Sequence, residues 1–302
     1  MPSLIQQVKS TMKSPDIEGP FELYATRTPG YLWALLFKRL HVHPIAVTLL
    51  SIVIGCMAGV LFISSSLWIN VIGMLLLVWA DWLDCADGQL ARMTGQKTLI
   101  GRILDGFGGD LWFFCIYLGI AVRLTPEFGV WIWLLVMVAG FCCHARQCAL
   151  ADYYRNAHML FTGLANELDS SARIMEEYHS LCWTKKEWFH KLYLFFYARY
   201  TTGQEKQTPH LGALLALVQT KLGGKIPPAV MEQYRAESKP LMSLCQILTF
   251  DARVGVLFVS LLVGLPWLYP VAEVTVFEAL RFYTNRRHEK FCLSLTQKLS
   301  AQ

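Results

Sequence analysis

The sequence predicts an all-α integral membrane protein with six transmembrane helices, an N-terminal interfacial helix and a helical cytosolic insertion. Three observations predict it. Of 302 residues, 54% are hydrophobic and 16% charged, whereas a soluble globule carries about a quarter charged residues. Apolar runs approach the roughly 20 residues that a helical span requires. Basic residues collect in alternate connections, the bias that orients membrane proteins.

The first 43 residues mix charges with aromatics instead of giving a short basic start and an apolar core, so no secretory leader is expected. From about Phe21 to His43, aromatics and leucines stand beside Arg27, Lys38 and Arg39, the pattern of a helix lying on the membrane. The first span is expected from Pro44 to Ser64, the second from Leu67, and the third from near Gly101 through "DLWFFCIYLGIAV". The fourth runs from Phe128 to Cys143 and the fifth from Val254 to Leu265. The sixth follows "PWLYP" and ends near "RRHEK", with Glu273 and Glu278 inside it.

The connections "SSSLW", "RLTPEF" and "PWLYP" together hold one arginine. The opposite set holds Lys38, Arg39, Arg92, Lys97, Arg102, Arg146, Arg155, Arg286 and Arg287, which places both termini in the cytosol. The net charge of +5 fits that bias and an anionic lipid surface, and it needs no nucleic-acid partner. The expected organisation is 1–43 cytosolic or interfacial, 44–148 for the first four spans, 149–244 a helical cytosolic insertion, 245–288 for the last two spans, and 289–302 a tail. Within the insertion, "TTGQEKQTPH" and "GGKIPP" read as loops.

Nine cysteines, an odd number scattered through apolar or cytosolic segments, read as small buried hydrophobes instead of a disulfide framework. In "CCHARQC", His144 and Cys148 lie one helical turn apart and could share a metal. Cys142 and Cys143 are adjacent, point in different directions on a helix, and match zinc spacings poorly.

The chemistry concentrates in "DCADGQLAR". Leu67 to Ala80 carries no charge, and then Asp81, Asp84 and Asp87 follow. Asp84 and Asp87 share a helix face. Gly95 and Lys97 mark a reversal, so the second and third helices form an antiparallel hairpin that brings Asp105 and Asp110 toward them. Four carboxylates at a membrane edge need cations to stay ionised. Hard oxygen ligands select Mg²⁺, Mn²⁺ or Ca²⁺, and a pair of such ions clamps a phosphoryl group. A boundary aspartate is usually just solvated, but four spaced around DG and AR are poorly explained that way. A divalent-cation carrier is the non-enzyme alternative, weakened because the acids collect at one edge of the bilayer.

The order Asp84, two residues, Asp87, Gly88, two residues, Ala91, Arg92, eight residues, Gly101, three residues, Asp105 resembles the CDP-alcohol phosphotransferase (CDP-alcohol phosphatidyltransferase) family signature. Six spans with both termini inside are similar to that family too, over roughly 40–150 and 245–290. The resemblance implies that Asp84, Asp87 and Asp105 hold two divalent cations, Mg²⁺ or Mn²⁺, on the diphosphate of a CDP-linked substrate. It implies that Asp110 completes the metal site and acts as general base, that Gly88, Ala91, Arg92 and Gly101 bind the CDP part, and that CMP leaves. It further implies a lipid substrate, an active site facing the cytoplasm and, as family members are commonly dimeric, a homodimer.

One departure stands out: the family places three residues between its last two aspartates, and here "GFGG" makes four. Either a one-residue bulge restores Asp110, or another group such as Asp81 is the base. "GQKTLIGRILD" resembles the prokaryotic branch that uses CDP-diacylglycerol, including phosphatidylinositol and phosphatidylinositol-phosphate synthases, which implies a prokaryotic inner membrane. Arg146, Arg253 and Arg281 converging on one cavity would bind an anionic acceptor, an inositol phosphate being the obvious one. The alternative pairs Arg253 with Asp251 and Arg281 with Glu278 and leaves Arg146 to lipid phosphates. A second donor–acceptor pair is a soluble CDP-alcohol such as CDP-ethanolamine with diacylglycerol or a ceramide-type lipid.

Overall fold

Apolar runs become helices, and the positions where helices must touch are glycines. A computed structural model describes the chain apart from residues 1–3, 10, 13, 15, 185–186 and 302, a few of which fall in the expected N-terminal segment and insertion. The described residues contain helices and no strand. They divide into two compact units, one of residues 1–142 and 254–274 and the other of 143–253 and 275–302.

The first unit opens with α1 (Leu4–Lys9), α2 (Pro20–Glu22), a π-helical turn at Leu23–Arg27 and α3 (Thr28–Arg39). Then come α4 (Pro44–Leu61), α5 (Leu67–Thr94), α6 (Leu99–Phe128) and α7 (Trp131–Met137). In α4 and α6 the backbones meet: a Cβ on Gly119 would lie 2.3 Å from the Gly59 carbonyl oxygen, so no larger residue fits. Close approach through small residues is how helices associate where lipid removes the hydrophobic drive. Gly95, at φ 71°, ends α5 in the left-handed region, and Thr98 caps α6 by accepting the Gly101 amide at 3.0 Å. That short reversal makes the hairpin expected from Gly95 and Lys97.

The segment expected on the membrane surface is helical and packs on α5. Trp82 donates to the Ala25 carbonyl at 2.8 Å, Gln89 donates to that of Arg27 at 3.2 Å, and Gly30 sits where a Cβ would meet Cys85 at 2.9 Å. Trp82, Cys85 and Gln89 occupy one side of α5. Asp84, Asp87 and Ala91 lie on another side, about 140–200° round the axis from Trp82.

The second unit contains α8 (Ala145–Phe161), α9 (Ser171–Ser180), α10 (Trp188–Gln207), α11 (Pro209–Lys221) and α12 (Pro228–Ile247). Most of α13 (Phe250–Leu262) and all of α14 (Leu268–Ala272) belong to the first unit, and after a π-helical turn the second closes with α15 (Glu278–Ala301). At its centre His288 stacks on Tyr154 at 3.6 Å between ring centroids and hydrogen-bonds the Tyr234 hydroxyl at 3.0 Å. Glu289 accepts the amides of His210 and Leu211 at 2.6 and 3.3 Å and so caps the start of α11.

Among the described residues five helical segments are long and apolar enough to cross a membrane: 44–61, 67–94, 99–128, 131–161 and 228–262. The sixth expected span does not meet that standard, because the helix through Glu278, Arg281, Arg286 and Arg287 is too polar. The fourth continues well past Cys143, and the fifth has its apolar stretch extended backward by α12. All nine cysteines are free thiols. In the "CCHARQC" segment, His144 Nδ1 meets Arg253 and Cys148 meets the Leu248 carbonyl instead of sharing a metal.

Candidate active site

The α5–α6 hairpin carries the site. Carboxylate oxygens of Asp84 and Asp87 on α5 and of Asp105 on α6 all lie within 4.8 Å of one another. Asp105 is exposed and Asp84 half-buried, whereas Asp87 is only 4% exposed. Its Oδ2 is buried without a hydrogen-bond partner, an arrangement that a cation satisfies and that is otherwise costly. Oxygens around one octahedral Mg²⁺ stand about 3–4 Å apart, given bonds near 2.1 Å, so a small closure of the three side chains suffices. Only hard oxygen donors are present. The residues fit a divalent cation, and Asp84, Asp87 and Asp105 would hold it.

A cavity of about 360 Å³ opens beside them. Its wall includes Asp87, Gly88, Ala91 and Arg92 from α5, Gly101 and Asp105 from α6, and Pro44, Ile45 and Thr48 from α4. Thus Gly88, Ala91, Arg92 and Gly101, read from the sequence as one group, share a single cavity with two of the carboxylates. Gly88 is open: a Cβ there would meet nothing nearer than the Arg92 guanidinium at 3.5 Å. Nothing in the protein demands glycine at that point, which leaves the space for a ligand. Gly101 has a local reason, since a Cβ would press on Thr98 Oγ1 at 3.0 Å.

Sequence reasoning missed part of the wall. Gln96, Lys97, Thr98 and Arg102 line the cavity, with Thr48 and Ile45 across from them. Arg102 entered the sequence argument only as an orienting charge, and Lys97 as an orienting charge and a mark of the reversal. The Thr98 cap followed by Gly101 was the available signal, because a capped helix start fixes which side chains flank the opening.

Asp110 is not brought into the cluster of three. Helix α6 is α-helical throughout Leu99–Phe128, with no bulge between Asp105 and Asp110. Five residues on a regular helix turn Asp110 about 140° from Asp105. Asp81 lies one turn before Asp84 on α5, and Asp84 feels the negative charges of Asp105, Asp87 and Asp81.

The three arginines lie in the second unit. Arg253 is fully buried: it donates to the Leu248 carbonyl at 2.9 and 3.1 Å and to Gln147 Oε1 at 2.8 Å, and it meets His144 Nδ1 at 2.8 Å. Arginine has no acceptor, so His144 accepts at Nδ1. Gln147 also donates to Glu278 at 3.1 Å, and Glu278 is paired with Arg281. Arg281 reaches Gln207 Oε1 at 3.0 Å as well. Arg253 and Arg281 therefore belong to one hydrogen-bonded chain that already holds an anion, Glu278. Arg146 is exposed.

Residues 41–163 match the family model described as CDP-alcohol phosphatidyltransferase. Enzymes of that family are transferases of substituted phosphate groups, act in phospholipid biosynthesis and are generally dependent on divalent cations. The match over these residues implies an enzyme that moves a phosphatidyl or phospho-head group from a CDP-alcohol, with lipid and CDP-alcohol substrates in a membrane. The match covers the hairpin and cavity and ends before α9. No curated protein and no solved structure matches the chain.

Proposed function

We propose that the chain transfers a phosphatidyl group from CDP-diacylglycerol to an inositol-type acceptor, inositol phosphate or inositol, and releases CMP. The observation that carries this reading is the cavity in which Asp87 and Asp105 face Gly88, Ala91, Arg92 and Gly101. Two divalent cations, Mg²⁺ or Mn²⁺, held by Asp84, Asp87 and Asp105 would neutralise the diphosphate and the departing CMP. The residues supply the rest. Gly88 and Ala91 leave room for the cytidine against α5, and Arg92 balances phosphate charge at the rim. A carboxylate takes the proton of the attacking hydroxyl. With α6 regular, Asp81 suits that role better than Asp110. It lies one turn from Asp84 on the same helix, and Gly109, one turn beyond Asp105 on α6, leaves open space.

Arg92, Lys97 and Arg102 crowd the hairpin turn, and basic residues face the cytosol. This supports a cytoplasmic active site and, with a sixth crossing between "PWLYP" and "RRHEK", both termini inside. Anionic acceptors fit the same basic rim. A second reading has its own support: Arg253 and Arg281 are occupied by Gln147 and Glu278, which favours an uncharged lipid alcohol accepting a phospho-head group from a soluble CDP-alcohol such as CDP-ethanolamine.

Mass spectrometry of the lipid product separates them. Purified protein is given CDP-diacylglycerol or CDP-ethanolamine, each with inositol phosphate, inositol, diacylglycerol and ceramide. A phosphatidylinositol-type product from CDP-diacylglycerol alone supports the first reading. A phosphoethanolamine lipid from CDP-ethanolamine replaces it with the second.

A further inference from the structure

Helix α10 presents its apolar side outward. Trp188, Phe189, Leu192 and Phe196 are 49%, 38%, 37% and 61% exposed, and with exposed Arg199 and Lys206 they fall within about 100° of the helix circumference. Trp183, just before the helix, is 62% exposed. The opposite side is committed to the protein. Leu194 and Ala198 pack with Ile174 of α9, and Lys191 donates to the Leu181 carbonyl at 2.6 Å.

The charge on the outward face has one sign. The single acidic residue of α10 is Glu205, which turns inward to accept the Ser171 amide at 3.0 Å. What remains outside is large aromatic and aliphatic surface with two cations and no anion. Apolar surface of that kind marks a binding face, and aromatics beside arginine and lysine are the composition of a helix seated at a lipid–water boundary. The helix is also tethered to a membrane segment: Gln204 donates to the Ala149 carbonyl of α8 at 2.9 Å, and α8 completes the candidate span 131–161.

We propose that α10 is a membrane-surface helix whose Trp188, Phe189, Leu192 and Phe196 enter the interface of an anionic bilayer while Arg199 and Lys206 meet lipid phosphates. The insertion expected to be a cytosolic subdomain is thereby held against the membrane. A soluble acidic partner would leave four apolar side chains unexplained, and a neutral surface would leave the two cations unused.

The test uses the full chain in nanodiscs of phosphatidylcholine and phosphatidylglycerol, with photoreactive benzoylphenylalanine replacing Phe196 or, as control, Glu176 on the exposed side of α9. Irradiation yields a lipid-mass adduct from position 196 and little from 176. Adding Arg199→Glu and Lys206→Glu lowers the yield at 196, each basic residue near an anionic surface being worth about fivefold in partitioning. In discs of phosphatidylcholine alone the reversal has little effect. Equal lipid yields at 196 and 176 overturn the proposal. So does crosslinking to a second copy of the chain or to another protein, and so does a yield in phosphatidylglycerol that ignores the charge reversal. Monodisperse elution of every variant excludes misfolding as the cause.

Discussion

Asp87 and Asp105 meet across the α5–α6 hairpin with carboxylate oxygens within 4.8 Å, one side chain buried and the other exposed. Two like charges at that separation, one shielded from water, hold a native site that is poised for a cation and strained without it. Asp87→Asn removes a charge and with it the demand of the buried Oδ2. The variant is expected to melt at or slightly above the wild-type temperature in chelator, as function and stability oppose each other at such sites. Mn²⁺ is expected to raise the wild-type midpoint, as any ligand of the native state does, and to leave Asp87→Asn and Asp105→Asn unmoved. CMP release is expected to fall by on the order of 10³-fold in both, since a metal clamp is worth several kcal/mol. A chelated Asp87→Asn protein that melts well below the wild type would contradict this picture.

The regular helix through "GFGGD" makes the proton acceptor a choice between two residues. Asp81→Asn is expected to lower kcat by about 10²–10⁴-fold, the usual contribution of a general base, and to abolish the acidic limb of the pH–rate profile. Asp110→Asn is expected to keep that limb and most of its rate. The reverse pattern would mean that α6 bulges during turnover and returns Asp110 to the metals.

Part of this site could be read from spacing. Asp84, Asp87 and Asp105 depend on helix periodicity and one tight turn, both local properties, whereas Gly88, Ala91, Arg92 and Gly101 came from the family resemblance. The Gly95 reversal was readable for the same reason. Arg253 was not, because its partners His144 and Gln147 stand more than a hundred positions away and no local pattern announces them. Helix limits were harder to read for a related cause. Arg146, Asp152 and Arg155 interrupt the apolar pattern after Cys143, yet tertiary packing carries helix through to Phe161. The bulge weighed before Asp110, against Asp81 as the base, rested on three glycines that permit one without requiring it.

The arginines separate binding from architecture. Arg253→Ala strands His144, Gln147 and the Leu248 carbonyl in a buried place, and each buried polar group left unsatisfied costs about 1–3 kcal/mol. Its thermal midpoint is expected to drop sharply in detergent. Arg146→Ala, at an exposed position, is expected to leave the midpoint within a degree or two. If Arg146 meets an anionic acceptor, it raises KM for inositol phosphate while sparing kcat. A KM unchanged in Arg146→Ala removes that residue from the acceptor site.

The second unit is expected to weaken in mild acid. Burial, with a smaller contribution from the neighbouring His158, pushes the His288 imidazole down to about 3 from its ordinary 6.5. Unfolded chain therefore takes up a proton that folded chain refuses, so this contribution is complete above about pH 6.5 and is lost as pH falls toward 3, by up to about 1.4 kcal/mol per unit. Glu289, whose carboxyl burial holds above the usual carboxylate range, acts in the opposite direction. Comparing wild type with His288→Gln isolates the imidazole: chemical denaturation at pH 7.5 and 5.5 is expected to show a smaller pH loss in the variant. Equal losses would assign the acid sensitivity elsewhere.

The central claim is that the acidic hairpin holds divalent metal against the diphosphate of a CDP-alcohol. Quantifying CMP released by purified protein from CDP-diacylglycerol and an inositol-type acceptor, with Mn²⁺ or with chelator, tests it most directly. The account predicts CMP only with metal, and almost none from Asp87→Asn or Asp105→Asn at any metal concentration. Equal CMP in chelator, or undiminished CMP from either aspartate variant, would contradict it.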